Sequence, residues 1–330
     1  MPIEIINDRS VWDSFVEMSP DKLLFHKWDF LKIIEKHSGC QFLPFGIFEK
    51  DDLICIFPLY FFKKNGIKFI KSFPYGSGIP YNGFLMKPDY YSSRQRQKER
   101  YLIRVAEEIS KKIDSLSPNI TDIFCGPRVQ DIRPFKWMGF DIDDYYSCII
   151  DVTIPPDSIW NSCDRECKRA IKSAEKLNLS LKETDDIATF YSIMNDRYQQ
   201  QNLKFPNFGP EYFRDIMKTF PENVKMYFVN NEGKIVNLVM NYEFNDRISL
   251  WKGSINVDSS IHSTEFLIWE FIKMAHSKGL KTLELQGANT QRLCQFKSKF
   301  NPQTESYFSI TKKDHIGKVS DLVYKKFLKN

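Results

Sequence analysis

The feature that most constrains this chain is a repeat. A single offset of 161 positions carries Thr121 to Thr282, Gly126 to Gly287, Phe135 to Phe296 and Lys136 to Lys297. Thr121-Asp-Ile-Phe-Cys-Gly126 thus lies over Thr282-Leu-Glu-Leu-Gln-Gly287, each followed by Phe-Lys. The apolar patterns around the two stretches also run in one order: helices, a hairpin, a helix, then this strand. Duplication accounts for both observations. It implies two similar α/β units with mixed central sheets flanked by helices, and 330 residues is enough for each to bury its own core.

The periodicities place the elements. Helical spacing occupies 11–16, 24–37 and 92–115, the last with Leu102, Val105, Ala106, Ile109 and Ile113 inside. Strands are expected at 41–48, 53–62 and 120–125. The second half repeats the scheme: a strand at 180–183, helices at 187–201 and 210–220, strands at 224–229, 235–244 and 248–253. A helix follows at 264–277, then a strand at 283–286, a helix at 291–300, a strand at 307–310 and a helix at 317–329. The join falls near 144–156, where a strand at 146–152 runs into Pro155-Pro156. Residues 1–147 are expected to form the first domain and 148–315 the second, with the 316–330 helix packing back on the first.

Composition excludes several classes. Hydrophobic content of 42% and aromatic content of 15% suit packed domains and argue against long disorder. The longest mostly apolar run, 53–62, is too short to span a bilayer and contains Pro58, so no membrane span is expected. The first residues lack signal-peptide character, which points to the cytoplasm. The 7 cysteines form neither an even disulfide set nor a zinc pair, and they read as small buried hydrophobes of a reduced protein with no metal. His26 and His37 read as packed or surface imidazoles. A formal charge of +5 permits a phosphate-rich ligand without requiring nucleic acid. The loop Lys71-Ser-Phe-Pro-Tyr75-Gly-Ser-Gly-Ile-Pro-Tyr81-Asn-Gly83 holds three glycines and two tyrosines; it suits close approach to an acceptor, with Tyr75 and Tyr81 as contacts, and equally suits a plain connection.

Residues 160–176 predict one amphipathic helix. Trp160, Cys163, Cys167, Ala170, Ala174 and Leu177 share an apolar stripe, while Arg165, Arg169, Lys172 and Lys176 form a basic one. The run Arg169-Ala-Ile171-Lys172-Ser-Ala174-Glu175-Lys176 resembles the helix that opens the second domain of FemAB-type transferases, peptidoglycan interpeptide-bridge enzymes and their relatives in the GNAT acyltransferase superfamily. Gly139-Phe140, Gly253-Ser254, Phe266-Leu-Ile-Trp-Glu270, Leu285-Gln-Gly287 and Phe296-Lys-Ser-Lys-Phe300 follow in the same order as that family's motifs. The sequence departs from the pattern at Lys299 and Asn301, which stand where the family commonly has glycine. The helical arm of some bridge-forming members has no room here.

The resemblance implies two tandem GNAT-like domains and an N-acyltransferase. The donor would be acyl-CoA or aminoacyl-tRNA, and the acceptor an amine of a cell-envelope, glycan or peptide precursor. Acyl transfer to an amine needs a polarised carbonyl, a neutral amine and close positioning. The polarising N–H is expected where the strands 248–253 and 283–287 splay apart. Lys297, matched to the family's Phe-Lys motif, is implied to stabilise charge at the transferred carbonyl. Arg169 and Lys172 would bind phosphate, as would the helix start at Ser263-Thr264, although the glycine-rich loop typical of coenzyme A-binding members is absent there. Glu284 and Glu265 are candidate proton acceptors, and Trp251 with Lys252 would line the acceptor cleft. Two other readings stay open: a binding protein that keeps the double fold without catalysis, and a nucleic-acid-binding protein that uses the 165–176 stripe.

Overall fold

A computed structural model describes residues 2–129, 131–203, 205, 208–258 and 260–327. In chain order the first elements are β1 (Ile3–Ile5), α1 (Arg9–Met18), α2 (Trp28–Ser38), β2 (Gln41–Glu49), β3 (Asp52–Lys64), β4 (Ile67–Lys71), β5 (Leu85–Met86), α3 (Pro88–Ser92), α4 (Gln95–Leu116), β6 (Ile120–Phe124) and α5 (Arg133–Trp137). After them come β7 (Asp141–Asp151), α6 (Pro156–Ser162), α7 (Arg165–Glu175), β8 (Ser180–Thr184), α8 (Ile187–Gln199), α9 (Pro210–Thr219), β9 (Val224–Asn231), β10 (Lys234–Phe244) and β11 (Arg247–Asn256). The last are α10 (Ser263–Ser277), β12 (Thr282–Glu284), α11 (Gln291–Ser298), β13 (Gln303–Lys313) and α12 (His315–Phe327).

The chain divides into two compact units, Met1–Asp144 with Tyr307–Asn330, and Tyr145–Ser306. In the first, strands run β1-β2-β3-β4-β6-β13, with β5 beside β3. Every adjacent pair is antiparallel except β4 with β6, which α4 connects. In the second, the order is β8-β9-β10-β11-β12-β7, and again, among the described residues, only β11 with β12 is parallel, connected by α10. Six strands with one parallel pair at the same place in each order is what a duplicated unit produces. The strand that completes each sheet comes from the far side of the join. Residues from Tyr145 in β7 close the second unit against β12, and residues from Tyr307 in β13 close the first against β6.

Each core forms where a helix lays its apolar face on the sheet. In the first unit Val105, Ala106, Ile109 and Ile113 of α4 meet Phe45, Phe57, Leu59, Ile70 and Ile123. In the second, α10 is apolar on most sides because it lies between the sheet and α7; Leu267, Phe271 and Ile272 join Ile248, Leu250 and Leu283 below and Cys167, Ile171 and Ala174 above. All seven cysteines are free thiols, Cys294 exposed and the others buried. His26 is fully buried against the Asn82 carbonyl, and burial pushes its imidazole down to about 3.

Two expectations need correction. Residues 160–176 form two helices, not one. Cys163 is extended, and the Asp164 side chain accepts the Cys167 N–H at 2.6 Å, so an N-cap restarts the helix at Arg165. The other is β4, which the apolar-run criterion misses. Its signal is Asn65-Gly66, both at positive φ (51° and 81°), the turn that joins β3 to an alternating Ile67-Lys-Phe-Ile-Lys71.

Candidate functional site

The site is built from the one parallel pair of the second unit. β11 and β12 are in register only over Arg247↔Thr282, Ile248↔Leu283 and Ser249↔Glu284. β12 then leaves, with Leu285 N–H donating to the Cys148 carbonyl and Ala288 N–H to the Tyr146 carbonyl, while β11 runs on to Asn256 beside β10. The pair therefore opens past Ser249. Beyond that point β11 is bulged twice: Trp251 and Ser254 are the extra residues between Asn241↔Leu250, Met240↔Lys252, Val239↔Gly253 and Leu238↔Ile255. Gly253 is required there, because its φ is +92° and an added Cβ would stand 2.6 Å from the Leu238 carbonyl oxygen.

Lys297, on α11, reaches the departing end of β12. Its ammonium donates to the carbonyls of Leu285 (2.9 Å), Gln286 and Gly287 (2.6 Å). Gln286 and Gly287 are both at positive φ, which turns the consecutive carbonyls toward one point, and a cation is what such a point requires. Burial pulls the Lys297 amine below its usual range. The family's glycine positions after Lys297 are filled compatibly. Asn301 adopts φ 51°, a conformation asparagine tolerates, and Lys299 pairs with Glu166 while its carbonyl accepts the Asp164 N–H.

Glu284 is fully buried beneath the opening. It accepts hydrogen bonds from Ser147 Oγ (2.7 Å), Ser249 Oγ (2.9 Å) and Arg247 Nη1 (3.3 Å). Arg247 also binds Glu305 with both terminal nitrogens, and Gln286 Nε2 donates to Ser249 Oγ at 3.0 Å. This network locks the last paired residues of β11 and β12, so the strands part at a fixed place.

Lys252 sits on β11 just past the opening. It is partly buried, and its Nζ lies 5.9 Å from the Trp251 ring centre, with no carboxylate partner among the described residues. Burial pushes its amine down to about 8. An unfolded lysine titrates near 10.4. Below pH 8 the folded state therefore bears the whole cost of holding the ammonium, and that cost disappears as pH rises from about 8 to about 10.5. Lys252→Met is accordingly expected to raise unfolding stability at pH 7 by about 1–3 kcal/mol and to change nothing near pH 11, as read by urea denaturation at the two pH values.

The other candidates are placed as follows. Trp251 is buried, edge-on to Phe213 and Tyr242. At the start of α10 the Ser263 hydroxyl donates to Asn256 Oδ1 and accepts from Asn237, and Thr264 Oγ1 accepts from the same Asn237 amide. Both side chains are thus engaged by the strands. His262 makes no side-chain cap, so the first-turn N–H groups of this 15-residue helix have no capping side chain, and Glu265 lies 3.9 Å from His262. On α7, Arg169 is exposed and Lys172 sits 5.7 Å over the Trp160 ring, with Arg165 and Lys176 also exposed. In the first unit Tyr75 is 78% exposed, whereas Tyr81 is 1% exposed and edge-on to Tyr307. The corresponding opening there is filled: after Lys71↔Asp122 the chain leaves and returns so that Asn82 bridges to Cys125 and donates to the Phe124 carbonyl. Among the described residues no group of three or more His, Cys, Asp or Glu could hold a metal, and no helix is long and apolar enough to cross a membrane.

Comparison with known proteins bears on the fold. The family described as Acetyltransferase (GNAT) domain matches residues 161–298. Comparison with curated proteins by sequence finds no match. Among solved structures, FemX is similar at 13% identity and TM-score 0.68, covering 93% of this chain and 97% of its own. L-PGS from Bacillus licheniformis is similar at 11% identity and TM-score 0.58, covering 99% and 98%. A tandem GNAT protein from the clavulanic acid biosynthesis pathway is similar at 10% identity and TM-score 0.55, covering 94% and 98%. Residues 161–298 match the GNAT acetyltransferase domain family, and the chain as a whole has the fold of a tandem GNAT protein. That fold is also the one FemX has.

Proposed function

We propose that the second unit transfers an acyl or aminoacyl group from acyl-CoA or aminoacyl-tRNA to an amine of a cell-envelope, glycan or peptide precursor. The observation that carries this is the parting of β11 from β12 at Ser249 and Glu284, which frees backbone N–H groups of β11 in the strand that bears the partly buried Lys252. The acceptor lone pair attacks the acyl carbonyl carbon, and the carbonyl electron pair moves to oxygen, where a β11 N–H meets it. Collapse expels the thiolate of coenzyme A or the ribose alkoxide of tRNA, which takes up the proton that the attacking nitrogen still has to lose. The proton lost by the acceptor ammonium passes to Lys252. The first unit is read as a non-transferring partner, because the Asn82 segment occupies its equivalent opening.

Both donors carry phosphate, and two features suit it. The first-turn N–H groups of α10 have no capping side chain, and Arg169 makes no ion pair among the described residues. Incubation with labelled acetyl-CoA, or with charged tRNA, and a panel of amines tests the reading; transfer from neither donor refutes it. Arg169→Glu with Lys172→Glu is expected to raise the donor KM about tenfold or more and to leave kcat nearly unchanged, since remote phosphate contacts bind ground and transition states alike. Binding to bulk RNA with a steep salt dependence and no transfer would favour nucleic-acid binding through α7 instead.

A further inference from the structure

The last helix is oriented the wrong way round for a surface helix of a globular protein. Gly317, Ser320 and Asp321 face the body of the first unit, whereas Ile316, Val319, Leu322 and Val323 are 58%, 61%, 66% and 48% exposed. The orientation is fixed by several contacts. An added Cβ on Gly317 would stand 2.0 Å from the Asn119 carbonyl oxygen, so only glycine allows the helix to sit this close. Asp314 accepts the Gly317 N–H and the Asn119 amide, and Asp321 pairs with Lys313. Rotating the apolar face inward would break all of these.

Asn119 also ties the helix to the β3–β4 hairpin: its N–H donates to the Lys68 carbonyl, and its side-chain oxygen accepts the Lys68 N–H. That hairpin carries Lys63, Lys64 and Lys68, and α12 carries Lys318; none of the four has a carboxylate partner among the described residues. The acids nearby, Asp314 and Asp321, are already engaged.

We propose that α12 and the β3–β4 hairpin form a docking surface for an anionic lipid bilayer, with the apolar face of α12 seated among the acyl chains and the lysines at the headgroups. Exposed apolar side chains beside unpaired lysines are the combination that interfacial helices use. A second copy of the chain fits less well. A helix of this length is about 20 Å long, and its four exposed apolar residues offer on the order of 400 Å², about half of the roughly 800 Å² each partner gives to a stable dimer. The inference is independent of the transfer chemistry.

The test is flotation of the full chain with vesicles of phosphatidylcholine alone and of equal parts phosphatidylcholine and phosphatidylglycerol. Partition onto the phosphatidylglycerol vesicles is expected to exceed that onto phosphatidylcholine about tenfold or more at low salt and to fall at high salt. The pair Val319→Glu with Leu322→Glu is expected to lower it about tenfold or more while thermal unfolding stays unchanged, since both side chains are exposed. Lys63→Glu with Lys64→Glu should remove the preference for phosphatidylglycerol. Equal partition onto both vesicles overturns the proposal. So does undiminished binding by the Val319/Leu322 variant, or a dimer in sedimentation velocity that this variant abolishes.

Discussion

Lys297→Ala is expected to lower the transfer rate by about 100-fold or more and unfolding stability by about 1–3 kcal/mol. The ammonium is the common partner of three consecutive carbonyls, those of Leu285, Gln286 and Gly287, and without it they face one another with no donor between them. The end of β12 would then relax, and the opening beside β11 would lose its far wall. Catalysis feels a displacement of an ångström far more than folding does, which is why the loss of rate should exceed the loss of stability. Lys297→Arg separates charge from geometry. A planar guanidinium spreads its donors over a fork and cannot bring one nitrogen to three converging carbonyls, so less than about a tenth of the activity should return. A Lys297→Arg variant with full activity, measured beside the alanine variant in single-turnover transfer, would show that charge alone is needed there.

Much of the architecture is readable in the sequence, because its causes are local or repeated. The offset that pairs Thr121 with Thr282 and Lys136 with Lys297 reports two sheets of the same strand order, and the apolar faces of α4 and α10 follow from helical spacing. What stayed illegible depends on pairs distant in sequence. That β7 completes the second unit and β13 the first is a matter of which edge each strand meets, and a strand pattern contains no such address. The break at Asp164 was written in the N-cap residue but masked by a helical period that continues across it. In the site, Lys297 stands out by motif, yet its three carbonyl partners arise from the positive φ of Gln286 and Gly287, which composition does not announce. Lys252 reads only as a cleft-lining neighbour of Trp251; the burial that pulls its amine down comes from residues remote in sequence. Tyr75 and Tyr81 look equivalent in a loop, and only the bridge from Asn82 to Cys125 draws one inward and leaves the other in solvent.

Glu284→Ala is expected to destabilise the second unit by about 2–4 kcal/mol, because it leaves a buried hole and removes the carboxylate that Ser147, Ser249 and Arg247 share. Arg247 keeps Glu305, so the sheet is expected to survive weakened rather than to rearrange. Where the alanine variant fails to fold, Glu284→Gln carries the test: it keeps the volume and one acceptor oxygen, removes the charge facing Arg247, and should lose about 1–3 kcal/mol in urea. The pH profile then decides what this carboxylate does. With Lys252 as the proton acceptor, the rate rises through about pH 8 and levels above it, as the amine pushed down by burial becomes neutral. Glu284→Gln should lower the plateau and leave that limb in place, whereas Lys252→Met should remove the limb. A Glu284→Gln enzyme of normal stability whose limb has vanished would transfer the proton-accepting role to Glu284, and Lys252 would then be a residue that only lines the opening.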